Sequence, residues 1–217
     1  GDPYVYHLTA SGLQRAAAQG ISPDVIRSFL RRAAGGELPA SVAPWANLRT
    51  ADLRDNRLQR LPADLGRLRG LEYLALDRNA LGALPTSLGD LPALQELHLS
   101  GNRLESLPPS LARLKELRIL GAADNRLARV PDLGGLTSLV LLDLAGNRLG
   151  ELPPDLGRLQ ALEALELDRN ALQALPESLG ELKALERLVL DGNRLTSLPP
   201  TLGGGGGPLG PRAPGNR

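Results

Sequence analysis

The residues best suited to acid–base chemistry are two histidines, His7 and His98, which lie far apart in the chain. Glu96, His98 and Ser100 alternate along one short stretch, so all three would point to the same side of a β-strand. A carboxylate, an imidazole and a hydroxyl are the residue types of a hydrolytic trio. No neighbouring motif supplies an oxyanion hole, and we therefore expect a protein that is not an enzyme.

Other chemistry is narrowed by composition. The 217 residues include no cysteine, which excludes disulfides, thiolate zinc sites and cysteine nucleophiles. No HExxH spacing accompanies the histidines, so we expect neither a metal nor a cofactor. The formal net charge of +1 makes nucleic acid an unfavoured partner. No apolar stretch approaches the roughly 18 residues of a membrane span, so we expect no membrane partner and, by default, a cytoplasmic setting.

An internal repeat organises most of the chain. Seven asparagines recur at intervals of 22 or 23 residues, each inside the frame L-x-x-L-x-L-x-x-N-x-L-x-x-L-P-x-x-L-x-x-L-x-x. The frame begins at Leu48 and is repeated seven times without a break. The asparagines are Asn56, Asn79, Asn102, Asn125, Asn147, Asn170 and Asn193.

Each repeat predicts one short strand and one tight return. Apolar residues alternate in the L-x-L part, as a strand buried on one face requires, and are spaced three apart after the proline. A single repeat cannot bury its own leucines, so neighbouring repeats must stack and share a core. We interpret the asparagines as structural residues whose amides satisfy backbone groups of adjacent turns.

This pattern resembles the leucine-rich repeat family over about residues 48–202. The few departures from the frame are Ala51, Ala122 and Val130 in place of leucine. The resemblance implies an α/β solenoid: a horseshoe of seven repeats with a parallel sheet on its concave side. The repeat is most similar to the short Leu-Pro class of plant Ras-group-related proteins, Ras-suppressor-like proteins and bacterial arrays that precede Roc GTPase domains. That class implies a signalling scaffold whose protein partner could be a small GTPase.

One phrase is stated twice in the array. Residues 74–94 and 165–185 are nearly identical, and the first three repeats align with the last three at an offset of 91 residues. We interpret this duplication as copied scaffold and not as a duplicated active site.

The ends of the array differ from its middle. Residues 1–37 carry two helix start signals and predict a helical N-terminal cap. Residues 38–47 read as a half-repeat, so the solenoid is expected to span 38–202. Residues 203–217 are rich in glycine and proline and predict a flexible tail. The chain begins with Gly1 and contains no methionine, so we expect it to be a fragment.

A second resemblance gives an alternative function. Residues 4–42 resemble a stretch in the accessory domain of bacterial XPB-like DNA helicases, with a Tyr-x-Leu-Thr motif, a Ser-x-Leu-x-Arg-Ala helix and a Leu-Pro-x-x-Val close. This resemblance implies an accessory or recruitment region of a DNA-processing protein.

The variable positions of the predicted strands indicate the binding surface. The third and fifth frame positions point into the concavity, and the seventh and eighth lie just beyond. Together they hold nine acidic residues and four arginines, so we expect an acidic wall suited to a basic partner surface.

At mid-array, Ile119 and Leu141 occupy exposed strand positions beside Gly121, Ala123 and Ala145, which predicts a shallow apolar floor. The candidate protein-binding residues are Tyr73, Glu96, His98, Ile119, Asp124, Leu141, Asp143, Glu166, Asp168 and Arg187.

Overall fold

Eight short parallel strands form one sheet in chain order in a computed structural model, which describes residues 5–7 and 46–202. Every strand is three residues long, and each pairs with the strand of the next repeat in the same register. The strands are β1 (Val5–His7), β2 (Thr50–Asp52), β3 (Tyr73–Ala75), β4 (Glu96–His98), β5 (Ile119–Gly121), β6 (Leu141–Asp143), β7 (Ala164–Glu166) and β8 (Arg187–Val189).

Short 3-10 helices return the chain on the other side of the core, as the leucine spacing after the proline predicts. Within residues 46–202, six repeats have such a helix and the fourth, which is one residue shorter, does not. The helices are Leu65–Arg67, Thr86–Asp90, Pro109–Arg113, Pro154–Arg158, Glu177–Glu181 and Pro200–Leu202.

The core is a continuous column of leucines between the sheet and these helices. Frame leucines such as Leu97 and Leu142, at the centres of β4 and β6, have no exposed surface. Coverage decreases in the last repeat, where Leu188 and Leu190 are only partly buried and Leu198 is 51% exposed.

The asparagines form a hydrogen-bonded ladder that joins each repeat to the one before it. The Asn102 side-chain nitrogen donates to the carbonyl oxygens of Leu99 and Leu76, at 2.9 Å each. The Asn102 side-chain oxygen accepts from the backbone N–H of Leu81 at 3.1 Å. One buried amide thus satisfies three backbone groups that would otherwise lack partners, which explains why the position is fixed and confirms its structural role.

The N-terminal region departs from the sequence-based expectation in one respect. Strand β1 extends the sheet by pairing with β2, whereas the sequence predicted seven strands and none at Val5–His7. This strand lies outside the repeat, and three residues without a repeated frame offer too short a pattern to detect. The rest of the predicted helical cap, the half-repeat up to residue 45, the helicase-like stretch and the tail at 203–217 lie outside the described residues, so those expectations remain predictions.

Candidate functional site

The candidate site is the open face of the sheet, defined here as the side of β2–β8 opposite the leucine column. In each of these strands the central residue points into the core and the two flanking residues point outward. The structure therefore places the predicted third and fifth frame positions on one face. The fifth position is more covered than predicted, since Asp52 is 8% exposed and Ala75 is fully buried.

The apolar centre of the open face is narrower than the sequence suggested. Ile119 and Leu141 are adjacent in register across β5 and β6 and keep exposed surface. Ala123 and Ala145 are only 7% and 5% exposed, so the expected floor consists mainly of the two larger side chains. Gly121 leaves space for a side chain beside this centre, because a Cβ placed on it would meet only Ser100 and His98, at ordinary contact distances.

An aromatic and acidic group lies on the N-terminal side of this centre. The rings of Tyr73 and His98 are 5.3 Å apart, and His98 Nε2 lies 3.1 Å from Glu96 Oε2. Burial raises the pKa of the Tyr73 hydroxyl. The Ser100 hydroxyl makes no hydrogen bond to His98 in the described part of the chain, so the three residues do not assemble into a hydrolytic trio.

Charges in the first two repeats are paired within the molecule. Arg54 donates from Nε and from Nη2 to the two carboxylate oxygens of Asp52, at 2.9 and 2.7 Å. This bond raises the pKa of Arg54, with the charge of Asp52 as the next cause. In the adjacent repeat, Arg78 binds Asp55 in the same two-pronged manner and so lowers the pKa of that carboxyl.

Asp143 is the candidate residue whose negative charge is least offset by contacts with residues 46–202. Its carboxylate accepts a hydrogen bond from the backbone N–H of Ala145 at 3.0 Å and forms no ion pair with any residue in 46–202. Partial burial raises the pKa of the Asp143 carboxyl, and the carboxylates of Glu166, Asp168 and Asp124 raise it further. The strands thus hold a half-buried carboxylate that no cationic side chain of residues 46–202 contacts.

Arg169 links two candidate residues that are far apart in sequence. It donates to Asp168 at 3.0 Å and to Asp124, two repeats earlier, at 3.2 Å. Gly146 allows this bridge, because a Cβ there would lie 2.2 Å from the Asp124 carboxylate. Sequence analysis assigned Arg169 to the inner wall without counting it among the candidates, since a contact across two repeats has no local sequence signal.

The ten candidate residues therefore form a band across the sheet and not one pocket. Tyr73 lies on β3 and Arg187 lies on β8, where its guanidinium is 3.3 Å from Glu166. Residues 46–202 contain no group of histidines and carboxylates arranged to hold a metal ion. In the same residues no helix has the length and apolar character needed to cross a bilayer.

The sequence family follows from comparison with known proteins. A profile of the leucine rich repeat family matches residues 46–104 and again residues 137–195, together more than half of the chain. The chain therefore belongs to the leucine-rich repeat family. The two matched segments stand at the same 91-residue offset as the duplicated phrase. No curated protein sequence matched the chain.

Solved structures with a similar fold come from plants and bacteria. The chain is 38% identical to the ectodomain of the Arabidopsis thaliana membrane receptor kinase GASSHO1/SCHENGEN3, solved with CASPARIAN STRIP INTEGRITY FACTOR 2 (TM-score 0.68; 73% of this chain and 20% of that chain). It is 34% identical to the Arabidopsis receptor kinase HAESA, solved with the peptide hormone IDA and the co-receptor SERK1 (TM-score 0.67; 74% and 29%). An internalin, inlF of Listeria monocytogenes, is 26% identical (TM-score 0.61; 75% and 47%).

This chain corresponds to only part of each similar structure. It spans less than half of each of the three similar chains, so their complete activities do not transfer to it. No catalytic family is indicated, and the fold is one used by binding domains.

Proposed function

We propose that this chain is a non-catalytic binding module that holds a protein or peptide partner on the open face of its sheet. One observation carries the proposal: most of the repeated leucines and four of the asparagines are buried, whereas the residues at the third frame position differ in all seven repeats and all keep exposed surface on the open face. A surface whose residues differ at every repeat while the backbone stays regular suits recognition. The complexes of GASSHO1/SCHENGEN3 with CASPARIAN STRIP INTEGRITY FACTOR 2 and of HAESA with the peptide hormone IDA support the same use here.

The charge of this face favours a basic partner. Its third, fifth, seventh and eighth frame positions hold nine acids and four arginines, and Asp143 has no cation partner among residues 46–202. Such a surface attracts a basic segment and repels acidic ones. A signalling role and a small GTPase as partner follow only from the resemblance to the short Leu-Pro repeats, and they belong to this proposal as its finer form.

The binding test uses the apolar centre. Replacing both Ile119 and Leu141 with arginine adds two large charged side chains to the middle of the open face without touching the leucine column. We expect the double variant to keep its circular dichroism spectrum and unfolding midpoint and to lose at least about tenfold in affinity for a peptide that binds the parent protein.

Gln59→Arg with Gln173→Arg is a matched control, because these two exposed residues add the same charges away from the open face. Partner binding that survives the Ile119→Arg, Leu141→Arg pair would move the binding site to another surface and contradict the proposal.

A further inference from the structure

The duplication gives the molecule an internal comparison for Asp143. At the 91-residue offset, Asp143 corresponds to Asp52, and Ala145 corresponds to Arg54. Both aspartates are the last residues of their strands, β6 and β2, and the two strands pair with their neighbours in the same register. The two carboxylates therefore occupy the same position on the same backbone.

The two carboxylates also share one backbone contact, with the N–H two residues later in the chain. Asp52 Oδ1 accepts from the N–H of Arg54 at 3.2 Å, and Asp143 Oδ1 accepts from the N–H of Ala145 at 3.0 Å. The difference lies in the side chain that follows. Arg54 places two guanidinium nitrogens on the Asp52 carboxylate, whereas the methyl group of Ala145 leaves Asp143 without them.

We propose that Asp143 binds an arginine side chain of a peptide or protein partner, in the position that Arg54 occupies at Asp52. This inference rests on the proposed function and names the group that the open face recognises. Asp52 shows that a carboxylate at this point of the frame is oriented for a two-pronged contact with a guanidinium. Arginine suits that contact better than lysine, because its planar group donates two parallel hydrogen bonds.

The surroundings of Asp143 select for a cation next to an apolar group. Leu141 precedes Asp143 by two residues on β6, and Ile119 is the register partner of Leu141 on β5. An apolar side chain of the partner therefore meets Leu141 and Ile119 when the neighbouring arginine of the partner reaches Asp143. On the other side, Glu166 is the register partner of Asp143 on β7 and already holds Arg187 at 3.3 Å. Of these two carboxylates, Asp143 is therefore the one without an ion pair to any of residues 46–202.

The proposal is tested with a displayed library of random dodecapeptides selected against the whole chain. We expect the recovered peptides to share an arginine beside an aliphatic residue. Dissociation constants of those peptides should rise at least about tenfold with Asp143→Asn, and also with Ala145→Arg, which supplies the guanidinium from within the protein. Lysine in place of the shared arginine should weaken binding severalfold.

Glu105→Gln is the matched control. It removes the same charge from an exposed residue outside the third, fifth, seventh and eighth frame positions and should change the dissociation constants by less than about twofold. Peptides that are lost with Ile119→Arg, Leu141→Arg but bind Asp143→Asn with parent affinity would overturn this inference and leave the proposed function standing. Peptides that bind the double variant as well as the parent, or a library without any binder, would overturn the proposed function and this inference with it.

Discussion

The first three repeats and the last three repeats have the same backbone but pair their charges differently. In the first set, Asp52 and Asp55 each hold an arginine, from their own repeat and from the next one. In the second set, the residue equivalent to Asp52 is Asp143, which holds no arginine from residues 46–202, and the residue equivalent to Asp55 is Gly146. Repeated leucines and asparagines determine the scaffold, whereas single substitutions at two frame positions, the seventh and the eighth, change what the face offers to a partner.

The same comparison explains the long reach of Arg169. Its equivalent, Arg78, contacts Asp55 in the adjacent repeat. Gly146 stands where the first copy has Asp55 and offers Arg169 no carboxylate, so the Arg169 guanidinium extends to Asp124. Both arginines have a left-handed backbone, with φ of 52° and 54°, a conformation that costs roughly 1–2 kcal/mol for a residue with a Cβ. Arginine is thus kept in both copies at a position where glycine would fit better.

The largest expected effect tests the shared scaffold. Asn79 and Asn170 are equivalent: each accepts a bond from a backbone N–H and donates to two carbonyls, with distances between 2.9 and 3.1 Å, and each makes a longer contact with a third carbonyl at 3.3 Å. Asn79→Ala and Asn170→Ala should each lower the free energy of unfolding by ~3 kcal/mol or more, because three backbone groups lose their partners at about 1–3 kcal/mol each.

Urea denaturation followed by circular dichroism measures both losses. Gln173→Ala, at an exposed residue of the same repeat as Asn170, should leave the unfolding midpoint unchanged. A loss below about 1 kcal/mol in either asparagine variant would show that the ladder does not stabilise that copy.

Sequence analysis predicted the scaffold well and the charge pairing poorly. The period placed Leu97, Leu142 and Asn102 correctly, because every repeat presents the same packing problem and one solution is copied. It also placed Ile119 and Leu141 on the open face, where both are partly exposed. The difference between Asp52 and Asp143 was present in the sequence as Arg54 and Ala145 at the 91-residue offset. The Arg169–Asp124 contact was not, because a long side chain chooses among several carboxylates by distance and backbone conformation.

A smaller effect, with opposite signs in the two copies, tests the pairing itself. Asp52→Asn leaves Arg54 without its charged partner and should lower the free energy of unfolding at neutral pH by about 1–2 kcal/mol. Asp143→Asn keeps an oxygen for the Ala145 N–H and removes a charge that burial and three carboxylates disfavour. It should therefore leave stability unchanged or raise it by less than about 1 kcal/mol.

The pH dependence of stability tests independently whether the charge of Asp143 stabilises or destabilises the folded state. Because the folded pKa of Asp143 lies above the usual value of 3.8, the folded state holds the proton more tightly than the unfolded chain. Stability from this group is present below pH 3.8 and is lost as pH rises through the folded pKa. Unfolding measured across that window should show this loss in the parent protein and a smaller one in Asp143→Asn. Equal pH profiles, or destabilisation by both variants at neutral pH, would mean that the two aspartates are equally compensated.

The smallest expected effect converts one copy toward the other. Gly146→Asp restores in the fifth repeat the carboxylate that Asp55 provides in the first. The backbone φ of 63° at Gly146 is one that aspartate tolerates, as Asp55 does at 58°. The new Cβ would lie 2.2 Å from the present position of the Asp124 carboxylate, so Asp124 must turn away and Arg169 gains a nearer partner.

We expect Arg169 to release Asp124 and bind the introduced carboxylate, as Arg78 binds Asp55, while the unfolding midpoint stays nearly the same because all these groups are exposed. A crystal structure of Gly146→Asp, or the shift of the Arg169 Nε–H signal in NMR spectra, measures the exchange. If Arg169 kept its contact with Asp124 in that variant, the different pairing of the two copies would have another cause than the residue at position 146. Position 146 would then lose its role in the comparison, while the contrast between Asp52 and Asp143, which depends on Arg54 and Ala145 alone, would be unaffected.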